Sequence, residues 1–155
     1  MQSQYETPYQ AAAPAMEYVG VGRRFLASLI DGVLLSIVSG IILFVFHSGT
    51  ASTADGGVSY NASGPGVALV YIIPIVYYIV LEATMGGTLG KRMLGLRIVK
   101  LDGSPISWGE SIIRNLLRII DGIGGYLLGA ILVWTSPTKQ RLGDRVAKTV
   151  VVRRR

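Results

Sequence analysis

The sequence predicts an all-α membrane protein with two full transmembrane helices and a broken, re-entrant or third transmembrane segment, joined by an amphipathic helix and a small cytoplasmic strand pair. Three observations carry that prediction. Half of the 155 residues are hydrophobic and only 15% are charged, an apolar balance unlike that of an ordinary soluble domain. Two apolar runs are long enough to cross a bilayer, and Lys and Arg gather at one end of them. The chain has no cysteine and a single histidine, His47, which excludes disulfide frameworks, thiolate metal sites, cysteine nucleophiles and imidazole clusters. With no nucleophile, base and orienting group to assemble, no enzyme is expected, and neither a cofactor nor a metal is implied.

Residues 1–19 are rich in Gln, Ala, Pro and Tyr with few large aliphatics, and read as a disordered tail. A membrane domain over residues 20–152 follows, with 153–155 a basic end. Its first span, 25–46, would extend about 33 Å as a helix, enough for a hydrocarbon core of about 30 Å. Asp31 is its one charge. Ser28, Gly32, Ser36 and Gly40 recur every four residues, a stripe of small side chains suited to close helix packing. Residues 47–65 carry no Lys or Arg and read as a polar loop. The second span, 66–83, has Pro74 near its middle, which frees the carbonyl of Val70. Gly86, Gly87 and Gly90 read as a tight exit turn. Their spacing, with Arg92 after Lys91, fails the pattern of a phosphate-binding loop.

Residues 96–101 read as a short strand entering a turn at Asp102-Gly103. Ser107 and Glu110 then fit a capping box that starts an amphipathic helix. On it Glu110, Ser111, Arg114, Asn115, Arg118 and Asp121 share one arc, opposite Ile112, Ile113, Leu116, Leu117, Ile119 and Ile120. Glu110 with Arg114, and Arg118 with Asp121, have the spacing of ion pairs along that arc. Such a helix lies in the interface plane or turns its polar stripe toward a wet interior. The last apolar run, 123–135, is short and follows Gly122, Gly124 and Gly125. The positive-inside rule puts Arg23, Arg24 and the basic stretch from Lys91 to Arg118 in the cytoplasm, with the 47–65 loop outside. Pairing the segments over 108–135 as a re-entrant hairpin keeps both termini cytoplasmic. A plain third span is the alternative.

An ionised Asp31 about 9 Å past Phe25 needs a partner or a proton. Arg24, about 10 Å earlier along the axis on the same face, is one counter-ion within long-side-chain reach; Arg114 and Arg118 are others. Asp31 is then either a member of a structural ion pair or a carboxylate on a cation pathway. The net charge of +6 flanks apolar runs and decorates no soluble domain, so the expected partners are the bilayer and its anionic head groups, not nucleic acid. Further expectations are a homo-oligomer through the small-residue stripe or through Gly125 and Gly129, and a membrane partner protein. The expected location is the plasma membrane, multi-pass, with a cytoplasmic N-terminus.

Three stretches together resemble the RDD family of small membrane proteins. They are Gly22-Arg-Arg24-Phe-Leu-Ala-Ser-Leu-Ile-Asp31, then Gly87-Thr-Leu-Gly-Lys-Arg-Met-Leu-Gly-Leu-Arg-Ile-Val99 with Asp102-Gly103, and Arg141-Leu-Gly-Asp144-Arg-Val-Ala-Lys-Thr-Val-Val-Val152. The resemblance covers residues 20 to 152. It implies that Arg24 and Asp31 are the family's Arg and first Asp, with Asp144 the second and Asp121 the fallback. It further implies a role in transport, in some members cation/proton exchange. The rival is a non-transporting scaffold or accessory module that binds a partner protein or anionic lipid through a basic cytoplasmic cap. Segments 96–101 and 149–153 can pair as strands only if both lie on one side.

Overall fold

The structure is a computed structural model that describes residues 16–47, 49–54, 57–123 and 127–154, with backbone alone at 49, 51, 53–54, 57–62, 120–123 and 127–129. Two long helices run antiparallel, α1 (Val21–Val45) and α2 (Pro65–Met85). At about 37 and 31 Å each matches the hydrocarbon thickness of a bilayer. Their large apolar side chains point outward. Phe25, Leu29, Val33, Ile37, Ile41 and Phe44 of α1 and Tyr71, Ile72, Ile75 and Val76 of α2 are exposed, whereas the core helices of a soluble protein bury such residues. By length and composition both are candidate membrane-spanning helices, and their apolar side chains face outward.

The polar segment between them is not a plain loop. Strands β1 (Gly49–Ala54) and β2 (Gly57–Ala62) form an antiparallel hairpin with Gly49 opposite Ala62 and Ala54 opposite Gly57. The Thr, Val and Tyr residues here favour strand, a signal that the Gly and Ser content hides. Pro65 then sits in the first turn of α2, where a missing N–H is harmless. Gly86, at φ 68°, ends α2 in the left-handed conformation, its N–H donating to the Glu82 carbonyl at 3.1 Å. This is the exit turn that the glycines foretold. Thr88 caps the short helix α3 (Leu89–Met93).

Strand β3 (Leu96–Lys100) pairs antiparallel with β4 (Thr149–Arg153), Leu96 opposite Arg153 and Ile98 opposite Val151. Between them the chain turns at Gly103, φ 84°, where the Asp102 carboxylate accepts from the N–H and hydroxyl of Ser104. Helix α4 (Trp108–Ile123) follows, with Glu110 accepting from the N–H and hydroxyl of Ser107, one half of the expected capping box. Helix α5 (Leu127–Thr135) is about 13 Å long, less than half of a hydrocarbon core. Helix α6 (Leu142–Val146) leads into β4.

The larger apolar cluster among the described residues lies at the strand pair, where Val19, Ala27, Leu96, Ile98, Ile106 and Val151 pack together, and Val99, Val150 and Val152 form a second, smaller one. Of the tail expected over residues 1–19, residues 1–15 lie outside the described residues, and the stretch from Met16 is placed against the strand pair. The Val19 N–H donates to Val151 and the Arg153 N–H to Glu17, both at 3.0 Å, so this stretch runs along β4 as a further edge. Free strand N–H and C=O groups supply the template, which composition does not reveal.

Candidate functional site

The charged residues of the two spans gather at the end of the helix pair away from the β1–β2 hairpin. Helix α4 is turned opposite to a soluble amphipathic helix. Ser111, Arg114 and Asn115 are buried, while Trp108, Ile112, Ile113, Leu116 and Ile119 are exposed. The polar stripe therefore closes against α2 and α6, and the apolar one faces the surroundings. Close approach is built in: a Cβ on Gly143 of α6 would lie 3.0 Å from the Arg114 carbonyl.

Two carboxylates organise the resulting network. Asp144 receives Arg24 at 2.6 Å, Arg114 at 2.5 Å and Arg141 at 3.4 Å. Glu82 receives the Lys91 ammonium, Arg114 Nε at 3.2 Å and the Asn115 amide at 3.3 Å. Arg114, 1% exposed, bridges both and also reaches the Thr149 hydroxyl. Arg24 adds donations to the carbonyls of Val19 at 2.9 Å and Lys139 at 2.5 Å. Burial by itself would raise the Asp144 carboxyl; the guanidinium groups of Arg114, Arg141 and Arg24 overcome it and hold the group below its ordinary range.

Asp31 stands apart from these cations. Its carboxylate is 1% exposed and accepts from the Tyr77 hydroxyl at 2.7 Å, the Thr88 hydroxyl at 2.6 Å and the Gly90 N–H at 2.8 Å. It thus binds the start of α3 from outside, satisfying backbone and hydroxyl donors that a helix start leaves free. The fit is tight, since a Cβ on Gly90 would lie 2.2 Å from the Ala27 carbonyl and 2.9 Å from Asp31 Oδ1. The expected counter-ions of Asp31 are corrected here. Arg24 shares its helix face, but α3 lies on the Ala27 turn between the two, so Arg24 reaches back to Asp144 and Arg114 is held by Asp144 and Glu82. Arg118 lies with its guanidinium 3.7 Å over the Tyr78 ring, a cation–π contact.

The ion pair expected between Glu110 and Arg114 is also replaced. Glu110 meets Lys100 at 3.0 Å near the surface, because deeper carboxylates claim Arg114. The side chain of Asp121, the fallback acid and supposed partner of Arg118, lies outside the described residues, as does Gly125. Of the small-residue stripe, Gly32, Ser36 and Gly40 are exposed and Ser28 is half-buried; a Cβ on Gly32 or Gly40 would meet nothing within 4 Å. No described element of the same chain covers that stripe.

Of the predicted residues, the fold brings Arg24, Arg114 and Asp144 into one network, and places Asp31 and Arg118 at its edges. Sequence reasoning missed Glu82, Lys91, Arg141, Tyr77 and Thr88. Glu82 carried a readable signal, an acid inside the last turn of an apolar span, where a carboxylate needs a partner. The others look like ordinary interfacial residues until the chain folds.

Residues 18–148 match the family model described as RDD family. Among curated proteins, "Uncharacterized protein YxaI" of Bacillus subtilis (strain 168) is 35% identical over 142 residues, covering 83% of this chain and 93% of that protein. "Uncharacterized membrane protein YteJ" of the same organism is 29% identical over 148 residues, covering 94% of this chain and 87% of that protein. A "Proline-rich antigen homolog" of Mycobacterium tuberculosis (strain CDC 1551 / Oshkosh) is 32% identical over 72 residues, 46% of this chain and 30% of that protein. No solved structure matches. With the family match spanning the charge network and both apolar helices, the chain is a membrane protein of the RDD family.

Proposed function

We propose that this protein is a non-transporting membrane module whose buried charges lock its cytoplasmic end together and whose remaining basic residues face anionic lipid. The observation that supports this reading is the internal saturation of the carboxylates. Asp31 accepts three hydrogen bonds, Glu82 meets Lys91, Arg114 and Asn115, and Asp144 meets three arginines. Groups so fully engaged stabilise one packing arrangement, and removing one member strands the others. The charge asymmetry supports the orientation: residues 46–64 hold no Lys or Arg, while the opposite end carries Arg23, Arg24, Lys91, Arg92 and Arg97. In this topology α1 and α2 span the membrane, the N-terminus and strand pair are cytoplasmic, and α4 rests with its apolar face in lipid. Helix α5, too short to cross, returns beside it as a re-entrant segment.

Transport is the second reading, favoured by one observation. Asp31 is met by two hydroxyls and an N–H and, among the described residues, by no Lys or Arg, a donor set that can reorganise around a small cation or a proton. Flux of H⁺, Na⁺, K⁺ and Li⁺ into proteoliposomes, measured for wild type and Asp31→Asn alongside thermal unfolding of both, separates the two. The module reading expects wild-type flux equal to empty liposomes and a lowered melting temperature for Asp31→Asn. Flux that is present in wild type and lost in a variant of unchanged melting temperature overturns it.

A further inference from the structure

Between the last turn of α2 and strand β3 lies a groove of about 400 Å³ lined by Thr84, Met85, Arg92, Leu96, Arg97 and Arg154. Three arginines line it and no carboxylate does. Arg24, Lys91, Lys100, Arg114, Arg141 and Arg153 of the polar end each meet an acid, whereas these three arginines share one groove without one. Arg92, Arg97 and Arg154 are exposed, and among the described residues none has a salt bridge. Three like charges brought together without compensation repel one another, so an anion between them is stabilised.

The backbone fixes where these charges stand. The Arg97 side chain runs against Gly86, where an added Cβ would come within 3.2 Å of Nε and 3.3 Å of Cγ, and the Ile98 N–H donates to the Gly86 carbonyl at 2.7 Å. Arg97 therefore lies at the C-terminal end of α2, where the helix dipole favours a cation. The Arg154 N–H donates to the Gly95 carbonyl at 2.7 Å, which holds this residue at the open end of the strand pair. Arg92 comes from α3. The groove thus sits where an apolar span ends, at head-group level, with exposed Met85 in its lining.

We propose that Arg92, Arg97 and Arg154 hold the phosphate of one anionic glycerophospholipid, with its acyl chains lying along α2 past Met85. Guanidinium forks match phosphate oxygens in pairs. A zwitterionic lipid brings a quaternary ammonium into the same arginine field and is disfavoured. The proposal deepens the anionic-lipid part of the reading above and rests on it, turning a diffuse attraction into a built site.

Native mass spectrometry of the full chain in detergent, offered equal phosphatidylglycerol and phosphatidylcholine, tests this. Wild type is compared with Arg97→Gln/Arg154→Gln and with Arg23→Gln/Arg145→Gln, a pair of exposed basic residues outside the groove; circular dichroism verifies that all three are folded. The expected result is one phosphatidylglycerol retained by wild type and the control, and an occupancy at least about tenfold lower in the groove variant, equivalent to about 1.4 kcal/mol. Equal loss in both variants, or no loss in the groove variant, overturns the site while leaving diffuse attraction to anionic lipid standing. No preference for phosphatidylglycerol in any protein overturns both. Inorganic phosphate that displaces the lipid and raises the melting temperature of lipid-free wild type, but not of the groove variant, reassigns the groove to a free anion and overturns the lipid assignment.

Discussion

Arg24 and Asp144 stand 120 positions apart in the chain and meet at 2.6 Å, joining the entry of the first span to the helix before the last strand. Asp144 is wholly buried, so the pair works as a cross-link between the membrane helices and the cap. Asp144→Asn leaves Arg24, Arg114 and Arg141 around a neutral amide. The expected loss is about 3–5 kcal/mol, read as a lowered melting temperature in detergent. The double variant with Arg24→Gln is expected to lose less than the sum of the two single variants, because one partner's charge is no longer stranded. Strict additivity would remove the coupling.

The same residue sets an acid limit. Asp144 has a folded pKa below its ordinary value, so its contribution is fully present above the unfolded value of about 4 and is lost as pH falls toward the folded one. The melting temperature of wild type is expected to be level in this respect above about pH 5 and to fall below about pH 4. In Asp144→Asn that fall is expected to be shallower. Identical acid limbs in the two proteins would mean that Asp144 is not the titrating group.

Gly90 marks the closest approach between α3 and α1. An alanine there sets a methyl group 2.2 Å from the Ala27 carbonyl and against Asp31, and backbone has to move. Gly90→Ala is expected to cost about 3 kcal/mol or more and to free Asp31 from the Gly90 N–H. Gly87→Ala is the matched control: its Cβ would rest 3.5 Å from Lys91, an ordinary contact, with an expected change within about 1 kcal/mol. Yield and melting temperature of the pair check this, and equal behaviour would contradict the geometry.

Topology can be read directly because the chain has no cysteine of its own. Single substitutions Ser52→Cys, Arg23→Cys and Lys148→Cys all fall on exposed positions. In cells treated with a membrane-impermeant maleimide, Ser52→Cys is expected to label, while the other two label only after the membrane is opened. Labelling of Lys148→Cys in intact cells, with Arg23→Cys still protected, would make the last apolar segment a crossing one and would contradict the β3–β4 pairing.

The sequence by itself determined the membrane class, the two spans, the exit turn at Gly86 and the strands that became β3 and β4. These depend on local quantities, namely apolar run length, glycine at a positive φ and β-branched alternation, and no distant residue has to be known. The polar arc of α4 was equally legible, since Ser111, Arg114, Asn115 and Arg118 repeat at helical spacing. Only the tertiary structure decided what that arc faces and which charges meet. Asp31 was sought by spacing among nearby arginines, yet its partners are Tyr77, Thr88 and Gly90, which lie 46, 57 and 59 residues away. Arg114 was assigned to Glu110 one turn earlier, but buried carboxylates hold it more strongly than an exposed neighbour can, since an ion pair gains most where water is excluded. Pairing of this kind depends on which surfaces close against one another, and helical arithmetic along one element cannot supply it.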